Sequence, residues 1–539
     1  MVRSCRKTIG SIALLLISFS TFCQVDRYVV YLTDKNNTPY SLESPEDFLS
    51  QKSVQRRLDQ GIEMVVQDLP VDPAYIEEVS TTGAEVFLSS KWLNALIVAS
   101  EPSIVSSIEA LPFVEKVQKI ALGDKPVFNS RKASSYTTGR TQSVINEAQI
   151  LHLGLNNLHN EGYTGTGIII AFFDSGYRGV NTIEAFQHVI NNNRLIHAEN
   201  IPECNTDVYV GDDHGTEVFS VVGGFSDDSF TGTAYSADFA LFITEDLGSE
   251  YPIEEYNWLI AAEKADSLGV DIINSSLGYN TFDLPFDSYE YADMDGNTTV
   301  VSRAADIASS KGMLVVTSAG NDGNREWRFI VSPADADSVI SVGSVGFGGV
   351  ISAFSAFGPS ADGQIKPEVV ALGQGTYRIN NSGAIVQAPS GTSLSVPMIT
   401  GLAACIWQSR PEFTNMQLRD TILSIGDRSE SPDNRYGYGL PRYGDITTSL
   451  ASETLKGSCK VYLNPHRGNS FRITGVSIDQ VTEVNIFDLT GAQQDNYQWR
   501  KIGTRQGEIE LVTQSMPAGT YIVQLKSTIY SKQIKILKY

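Results

Sequence analysis

The stretch Ile168-Ile169-Ile170-Ala171-Phe172-Phe173-Asp174-Ser175-Gly176 is continuously apolar until it ends at an aspartate. Such a run predicts a strand that is buried on both faces of a parallel sheet. Similar runs end in polar motifs at Phe239 to Ile243, at Val270 to Asn274 and at Met313 to Thr317. With amphipathic helices between them, they predict an α/β domain over residues 150–450, with its motifs at the carboxyl edge of the sheet.

Four motifs supply the groups that acyl transfer requires. Ser393, in Ser390-Gly391-Thr392-Ser393-Leu394-Ser395-Val396-Pro397, is the candidate nucleophile at a helix N-terminus, and Pro397 is expected in the first turn of that helix. His214 is the candidate base, Asp174 orients it, and Asn321 offers an amide to the developing oxyanion. Alone, each residue has an ordinary structural interpretation as a cap, a structural histidine or a turn-former. Together they favour a serine hydrolase, and more specifically a peptidase.

The motif order Asp, His, Asn, Ser resembles that of the subtilisin-like serine peptidase family. The resemblance implies a secreted endopeptidase that forms an acyl-enzyme at Ser393, needs no cofactor for catalysis and acts on protein or peptide substrates. It also implies a substrate channel walled by Ser276, Leu277, Gly278, Ser318, Ala319 and Gly320, with Thr392 beside them. The chain departs from the family at Glu217, where a second histidine is usual, and at Val396, where alanine is frequent.

Two other functions compete with this interpretation. A catalytically silent surface binding protein could use the same scaffold. An esterase of the α/β-hydrolase type would show the order Ser, Asp, His and a Gly-X-Ser-X-Gly motif, which the sequence around Ser393 lacks. Substrate preference depends on the loops around Glu250 to Tyr256 and Gly278-Tyr279, which no motif specifies.

Residues 24–122 alternate strand and helix signals and predict an α+β unit. Ser44 and Pro45 are expected to open a helix as its cap and first turn. In position, size and element order the unit resembles a subtilisin-type propeptide, which implies a folding chaperone and intramolecular inhibitor. A permanent accessory domain is the alternative. The polar segment 123–149 is the expected linker and processing region.

Residues 456–539 predict a small β-sandwich. They resemble a sorting domain of the bacterial type IX secretion system, although Leu463 stands where proline is usual. This resemblance implies a Gram-negative cell, the outer-membrane secretion machinery as a partner, and release or surface attachment. A generic binding sandwich is the alternative. The matching pieces are Val461 to Pro465, Val484 to Gly491, Met516 to Tyr521 and the basic end Lys532 to Lys538.

The N-terminus predicts export. A basic head at Arg3, Arg6 and Lys7 precedes an apolar run from Ile9 to Phe22, which favours a cleaved signal peptide over residues 1–23. A lipid-anchored Cys23 is the rival interpretation. No other segment approaches transmembrane length, and the formal net charge of -22 argues against a nucleic-acid partner.

Cysteines and acidic residues give weaker signals. Cys204, Cys405 and Cys459 are too widely spaced for a disulfide framework or a zinc cluster, although one disulfide stays open. Cys405 is expected to be a small buried apolar residue. Asp293, Asp295 and Asn297 resemble part of a calcium loop and could hold a structural ion, but the distal glutamate is absent. A solvated acidic turn is the alternative.

Overall fold

The computed structural model describes residues 25–123, 146–227, 229–387 and 390–444. In the C-terminal part it describes residues 460–462, 470–474, 481–488, 492–494, 497–502, 508–513, 516–517, 519–527 and 531–538. The predicted signal peptide, Cys459 and residues 124–145 of the predicted linker lie outside these ranges.

Residues 25–123 form an antiparallel sheet with short helices, in the strand order β2-β3-β1-β4. The helix expected at Ser44 is a single 3₁₀ turn, Pro45–Asp47, and the Ser44 side chain caps no backbone group. The α-helix begins later, where the Ser50 side chain accepts a hydrogen bond from Ser53 N. The elements are β1 (Asp26–Leu32), α1 (Gln51–Gln60), α2 (Pro73–Thr81), β2 (Glu85–Ser90), β3 (Ala95–Ser100), α3 (Val105–Glu109) and β4 (Val114–Ala121).

The central domain contains a seven-stranded sheet in the order β13-β12-β11-β10-β5-β9-β6, and every pairing in it is parallel. The predicted α/β fold class is therefore confirmed. Its elements are α4 (Glu147–His152), α5 (Leu155–Asn160), β5 (Ile169–Asp174), α6 (Gln187–Ile190), β6 (Leu195–Asn200), α7 (His214–Gly223), β7 (Phe225–Ser226), β8 (Phe230–Thr231), β9 (Asp238–Ile243), α8 (Ile253–Leu268), β10 (Ile272–Ser275), α9 (Val300–Ser310), β11 (Leu314–Ser318), β12 (Ile340–Gly346), β13 (Val369–Gln374), β14 (Tyr377–Ile379), β15 (Ile385–Gln387), α10 (Thr392–Ser409) and α11 (Asn415–Ser424).

Strand β5 is buried on both faces because each face is covered by helices. Ile170 and Phe172 point into a core shared with α7 and α10. Phe173, on the opposite face, packs in a second core with α8 and α9. Apolar side chains of the N-terminal domain, including Trp92 and Ile97, belong to this second core. The N-terminal domain therefore covers the α8/α9 side of the sheet.

The contact between the N-terminal and central domains also contains buried charges. Asp266, in the last turn of α8, is 2.6 Å from Arg56, 2.9 Å from Arg57 and 3.0 Å from Lys91. Glu263, one turn earlier, accepts hydrogen bonds from the Ser90 hydroxyl and from the backbone N–H groups of Lys91 and Trp92. The acidic groups at this end of α8 are therefore paired by the N-terminal domain.

The C-terminal strands form two sheets, ordered β16-β17-β20-β19 and β18-β21-β22. Phe471 and Leu511 of the first sheet share one core with Ile486 and Val523 of the second, so the unit is a β-sandwich. The strands are β16 (Lys460–Tyr462), β17 (Ser470–Thr474), β18 (Val481–Asp488), β19 (Gln498–Ile502), β20 (Glu508–Val512), β21 (Gly519–Ser527) and β22 (Ser531–Lys538).

Candidate active site

Two of the predicted site residues meet at the carboxyl end of β5. His214 Nδ1 lies 2.7 Å from Asp174 Oδ1, which also accepts a hydrogen bond from Ser175 N at 2.8 Å. Asp174 is fully buried, whereas the His214 side chain is 35% exposed. This contact orients the imidazole and leaves Nε2 free for a second partner.

A glycine allows the helix that carries His214 to approach the strand closely. A Cβ at Gly215 would lie 2.4 Å from Gly176 O and 2.9 Å from Asp174 Cβ, closer than a side chain can pack. Only glycine fits at this position without a shift of the backbone. The glycine after the histidine therefore sets the distance between α7 and the end of β5.

The surroundings of His214 are acidic. Burial works to lower the pKa of the imidazole, but Asp174, Glu217 and Asp212 outweigh it and raise the pKa to about 9. Glu217, which replaces the usual second histidine, forms an ion pair with Arg378 at 2.7 Å. The sequence did not reveal the contribution of Asp212, which becomes visible only once the loop before α7 is folded.

Ser393 is the second residue of α10, and Pro397 is the sixth. The expectation that Pro397 lies in the first turn is therefore wrong, because the helix starts earlier than the motif suggested. Proline has no N–H to donate to the carbonyl of Ser393, four residues earlier. Ser276 replaces that donor, since its hydroxyl donates to Ser393 O at 2.9 Å. The freed carbonyl thus ties the start of α10 to the end of β10.

Asn321 is exposed after β11 and is held by the residue that precedes Ser393. Its Oδ1 accepts hydrogen bonds from Thr392 N at 2.9 Å and from Thr392 Oγ1 at 3.1 Å. The Thr392 hydroxyl also contacts Ser318 Oγ at 2.6 Å. With Oδ1 engaged in this way, the Asn321 amide nitrogen is the group left to donate elsewhere.

The structure brings the four predicted motifs to one edge of the sheet. Helices α7 and α10, which begin with His214 and Thr392, pack against each other. Within the described residues, the Ser393 hydroxyl and the His214 imidazole are not joined by a hydrogen bond. In enzymes without substrate such contacts are often long and shorten when substrate binds.

The residues proposed to wall the channel differ in exposure. The side chains of Ser276 and Ser318 are buried and engaged in the contacts described above, and Ala319 is fully buried. Leu277 is half-buried, Gly278 is exposed, and Gly320 is buried with a φ of +107°. Gly278 therefore presents backbone at the surface, whereas the serine hydroxyls support the framework beneath it.

The loop suggested for calcium uses its oxygens internally. Asp295 Oδ1 accepts hydrogen bonds from Asn297 N at 2.9 Å and from Thr298 N at 2.7 Å, and Asp293 Oδ2 accepts one from Glu290 N. In the described part of the chain, no group of three or more acidic, histidine or cysteine side chains is arranged to hold a metal ion. These contacts describe an acidic turn, and calcium binding at Asp293, Asp295 and Asn297 stays a prediction.

The two cysteines in the described ranges are free thiols. Cys405 is buried, as expected, and its Sγ lies 3.3 Å from Thr233 O, whereas Cys204 is exposed. No helix in the described ranges combines the length and the apolar character that crossing a membrane would require.

Sequence comparisons identify one family. Residues 165–439 match the family described as "Subtilase family", and residues 27–136 match "Peptidase S8 propeptide domain, Bacteroidota". Subtilisin from Bacillus pumilus is 30% identical over 287 residues, which are 52% of this chain and 92% of the relative. Subtilisin E from Bacillus subtilis is 27% identical over 350 residues, or 64% of this chain and 79% of the relative.

One solved structure extends the similarity in fold to most of the chain. It is a mutant of the epidermin leader peptide processing serine protease from Staphylococcus aureus, with a TM-score of 0.53 and 15% identity. The match covers 78% of this chain and 98% of that protein. At this identity the match supports the fold alone.

Proposed function

Because this chain belongs to the subtilase family of serine endopeptidases, we propose that Asp174, His214 and Ser393 form its catalytic triad. The observation that carries the proposal is the 2.7 Å contact between His214 Nδ1 and Asp174 Oδ1, beside the start of the helix that carries Ser393. The substrates are proteins or peptides bound along the carboxyl edge of the sheet.

In the proposed reaction the Ser393 hydroxyl oxygen attacks the carbonyl carbon of the scissile peptide bond, and His214 Nε2 takes the hydroxyl proton. Asp174 stabilises the imidazolium. His214 then gives the proton to the leaving amine, and an acyl-enzyme stays on Ser393 until water hydrolyses it. Because the pKa of His214 is raised to about 9, the neutral base becomes abundant only towards alkaline pH.

Asn321 is the proposed donor to the oxyanion. Thr392 holds its Oδ1, which leaves the amide N–H₂ free to donate. The Ser393 N–H belongs to the first turn of α10, where N–H groups have no acceptor within the helix. Both donors would stabilise negative charge that develops only in the transition state.

Replacing Asn321 with alanine should lower kcat about 10²–10³-fold, because one oxyanion donor is lost. Replacing Ser393 with alanine should leave only weak residual hydrolysis. The measurement is cleavage of an internally quenched peptide by the mature enzyme, with Asn324→Ala as the matched control on the same exposed loop. An Asn321→Ala enzyme with unchanged kcat would refute the role given to that amide.

We propose that the propeptide domain makes the protein a zymogen and that cleavage falls within residues 123–149. The support is the propeptide match and the buried contact of that domain with α8. A permanent accessory domain would instead stay covalently attached in the active protein.

Export is the third element of the proposal. Residues 1–23 act as a signal peptide, and residues 456–539 act as a type IX sorting domain on a protein that is released or attached to the cell surface. The supporting observations are the sequence pieces quoted above, the β-sandwich architecture and the Bacteroidota type of the propeptide.

A further inference from the structure

A β-hairpin that has no part in the proposed reaction packs against α7, the helix that begins with His214. The hairpin is formed by β14 and β15, which pair antiparallel with Arg378 opposite Val386. In the sequence, β15 ends shortly before Ser393. The hairpin therefore contacts the helix of the proposed base and directly precedes the motif of the proposed nucleophile.

The residues on both sides of Arg378 are fixed by hydrogen bonds. Tyr377 N donates to Gln149 Oε1 at 2.9 Å, and Gln149 Nε2 donates back to Tyr377 O at 3.3 Å. The next strand residue, Ile379, is buried, and its N–H donates to the Ser220 hydroxyl oxygen on α7 at 2.9 Å. Arg378 lies between these two anchors, so its backbone has a fixed place beside α7.

Arg378 forms an ion pair with Glu217 of α7 that is largely removed from solvent. The Arg378 Nε atom lies 2.7 Å from Glu217 Oε2, and the two side chains are only 5% and 17% exposed. Solvent and salt screen such a pair much less than a pair on the surface. The guanidinium therefore directs the Glu217 carboxylate towards β14 and balances its charge there.

The catalytic base lies one helical turn from this ion pair. Glu217 follows His214 by three residues on α7, and this spacing places two side chains next to each other on a helix surface. Burial works to lower the pKa of His214, whereas the surrounding carboxylates raise it, because they stabilise the imidazolium. The other acidic groups around the imidazole and Glu217 are Asp174 of β5 and the pair Asp212 and Asp213 in the loop before α7.

Without Arg378, the Glu217 carboxylate would be an unbalanced charge beside the imidazole. The side chain would then be free to turn from β14 towards His214 and to pair with the imidazolium. An imidazolium held in this way cannot accept the proton of the Ser393 hydroxyl. The contact between Arg378 and Glu217 therefore bears on how easily the base returns to its neutral form.

We propose that Arg378 is a positioning residue for the proposed base, because it holds the Glu217 carboxylate towards β14 and away from the His214 imidazole. The proposal rests on the proposed peptidase function, since it concerns the same histidine. The competing interpretation is that the ion pair only fastens the hairpin to α7. The two interpretations differ in what they predict for the pH dependence of the reaction.

The test measures kcat/KM of the mature enzyme for an internally quenched peptide across the pH range. The acidic limb of this profile reports the pKa of the base in the free enzyme. In Arg378→Gln the midpoint of that limb should rise by about 0.5–1 pH unit, somewhat less than the about 1–3 units that a charge in direct contact causes. Below the midpoint kcat/KM should fall about 3–10-fold, and on the alkaline plateau it should equal that of the wild type. Arg378→Lys keeps the positive charge and should restore most of the shift.

A double-mutant cycle separates an effect through Glu217 from a direct effect of the arginine charge on the base. Glu217→Gln removes a carboxylate and should lower the midpoint. In the Glu217→Gln enzyme, the further change Arg378→Gln should move the midpoint by less than about half as much as it does in the wild type, because no carboxylate is left to turn towards His214. Equal shifts in both backgrounds would show that Arg378 does not act by positioning Glu217.

Arg419→Gln is the matched control for loss of a largely buried guanidinium. Arg419 lies 3.2 Å from Glu368, and its Nε donates to Val339 O at 2.9 Å. Glu368 precedes β13, so this pair lies at the opposite edge of the sheet from the catalytic motifs. Arg419→Gln should lower the thermal stability but leave the midpoint of the acidic limb unchanged. A purely structural role of Arg378 would give the same result as this control.

A second variant covers the case in which Arg378→Gln does not fold. Arg378→Met keeps the apolar part of the side chain against the hairpin and removes the charge, so it should raise the midpoint as Arg378→Gln does. An unchanged midpoint in either variant would overturn the positioning role and leave the peptidase assignment intact. Absence of cleavage by the wild type, together with no labelling of Ser393 by a fluorophosphonate, would overturn the proposed function on which the role depends.

Discussion

The two ends of helix α8 carry buried acidic residues in opposite circumstances. At its C-terminal end, Asp266 is surrounded by Arg56, Arg57 and Lys91 of the N-terminal domain. At its N-terminal end, Glu254 is just as buried but faces other carboxyl groups. A buried charge is stable only when it is paired, so Asp266 stays ionised beside its cations, whereas the carboxyl groups around Glu254 favour the protonated form.

The pKa values of Asp266 and Glu254 are shifted in opposite directions. Burial alone would raise the pKa of Asp266, but Lys91, Arg56 and Arg57 lower it below the ordinary value. Burial and the nearby carboxyl groups raise the pKa of Glu254. The cation-paired end of α8 therefore contacts the N-terminal domain, and the other end favours protonated carboxyl groups.

The largest expected effect comes from removing the carboxylate that the three cations share at the C-terminal end of α8. Asp266→Ala in an uncleavable Ser393→Ala zymogen leaves three cations without their shared carboxylate, which should weaken docking of the N-terminal domain by about 3–5 kcal/mol. Amide hydrogen exchange in α1 should then be roughly 10²–10³-fold faster, since α1 carries Arg56 and Arg57.

Lys52 provides the control on the same helix. It pairs with Asp271 at 2.6 Å, but its side chain is 37% exposed. Lys52→Ala should change the stability by less than about 1 kcal/mol, and exchange in α1 by less than about fivefold. Equal effects of Asp266→Ala and Lys52→Ala would show that burial of the ion pair does not determine docking.

At the N-terminal end of α8, a substitution should increase the stability of the protein, and by a smaller amount. A carboxyl group whose pKa is raised on folding stabilises the protein at low pH, and this contribution is lost as the pH rises from the unfolded value of 4.5 towards the folded one. The Glu254→Gln variant has no carboxyl group to ionise at this position, so it should not lose this stability as the pH rises. The variant should match the wild type near pH 5 and exceed its stability by about 1–3 kcal/mol at pH 8, which raises Tm by roughly 2–4 °C for each kcal/mol.

Asp266→Asn makes the same acid-to-amide change at the paired end and should destabilise the zymogen at both pH values. Thermal unfolding of the Ser393→Ala zymogen at pH 5 and pH 8 compares the two variants directly. A Glu254→Gln protein that is less stable than the wild type at pH 8 would contradict the raised pKa of Glu254.

Local patterns in the sequence predicted the framework of the molecule well. The apolar runs around Phe172, Leu241 and Val315 became central strands because each is buried on both faces by helices. Since parallel strands end at one edge, the motifs that follow them had to lie near one another. The placement of Asp174 and His214 in contact follows from that topology.

The details that local patterns did not predict depend on partners far away in the sequence. Pro397 is tolerated in the second turn of α10 because Ser276 supplies a hydrogen bond to Ser393 O, and the two serines are more than a hundred residues apart. The pairing of Arg56 with Asp266 spans more than two hundred residues. Glu245 follows β9 and Glu254 lies in the first turn of α8, and no motif links them, so only folding shows that they come near each other.

The most direct test of catalysis at Ser393 is to label the mature enzyme with a fluorophosphonate and to locate the adduct by mass spectrometry. We expect one adduct on Ser393, no labelling of Ser393→Ala, and much slower labelling of His214→Ala because the hydroxyl loses its base. An adduct on a different residue, or equal labelling of the wild type and His214→Ala, would contradict the triad of Asp174, His214 and Ser393.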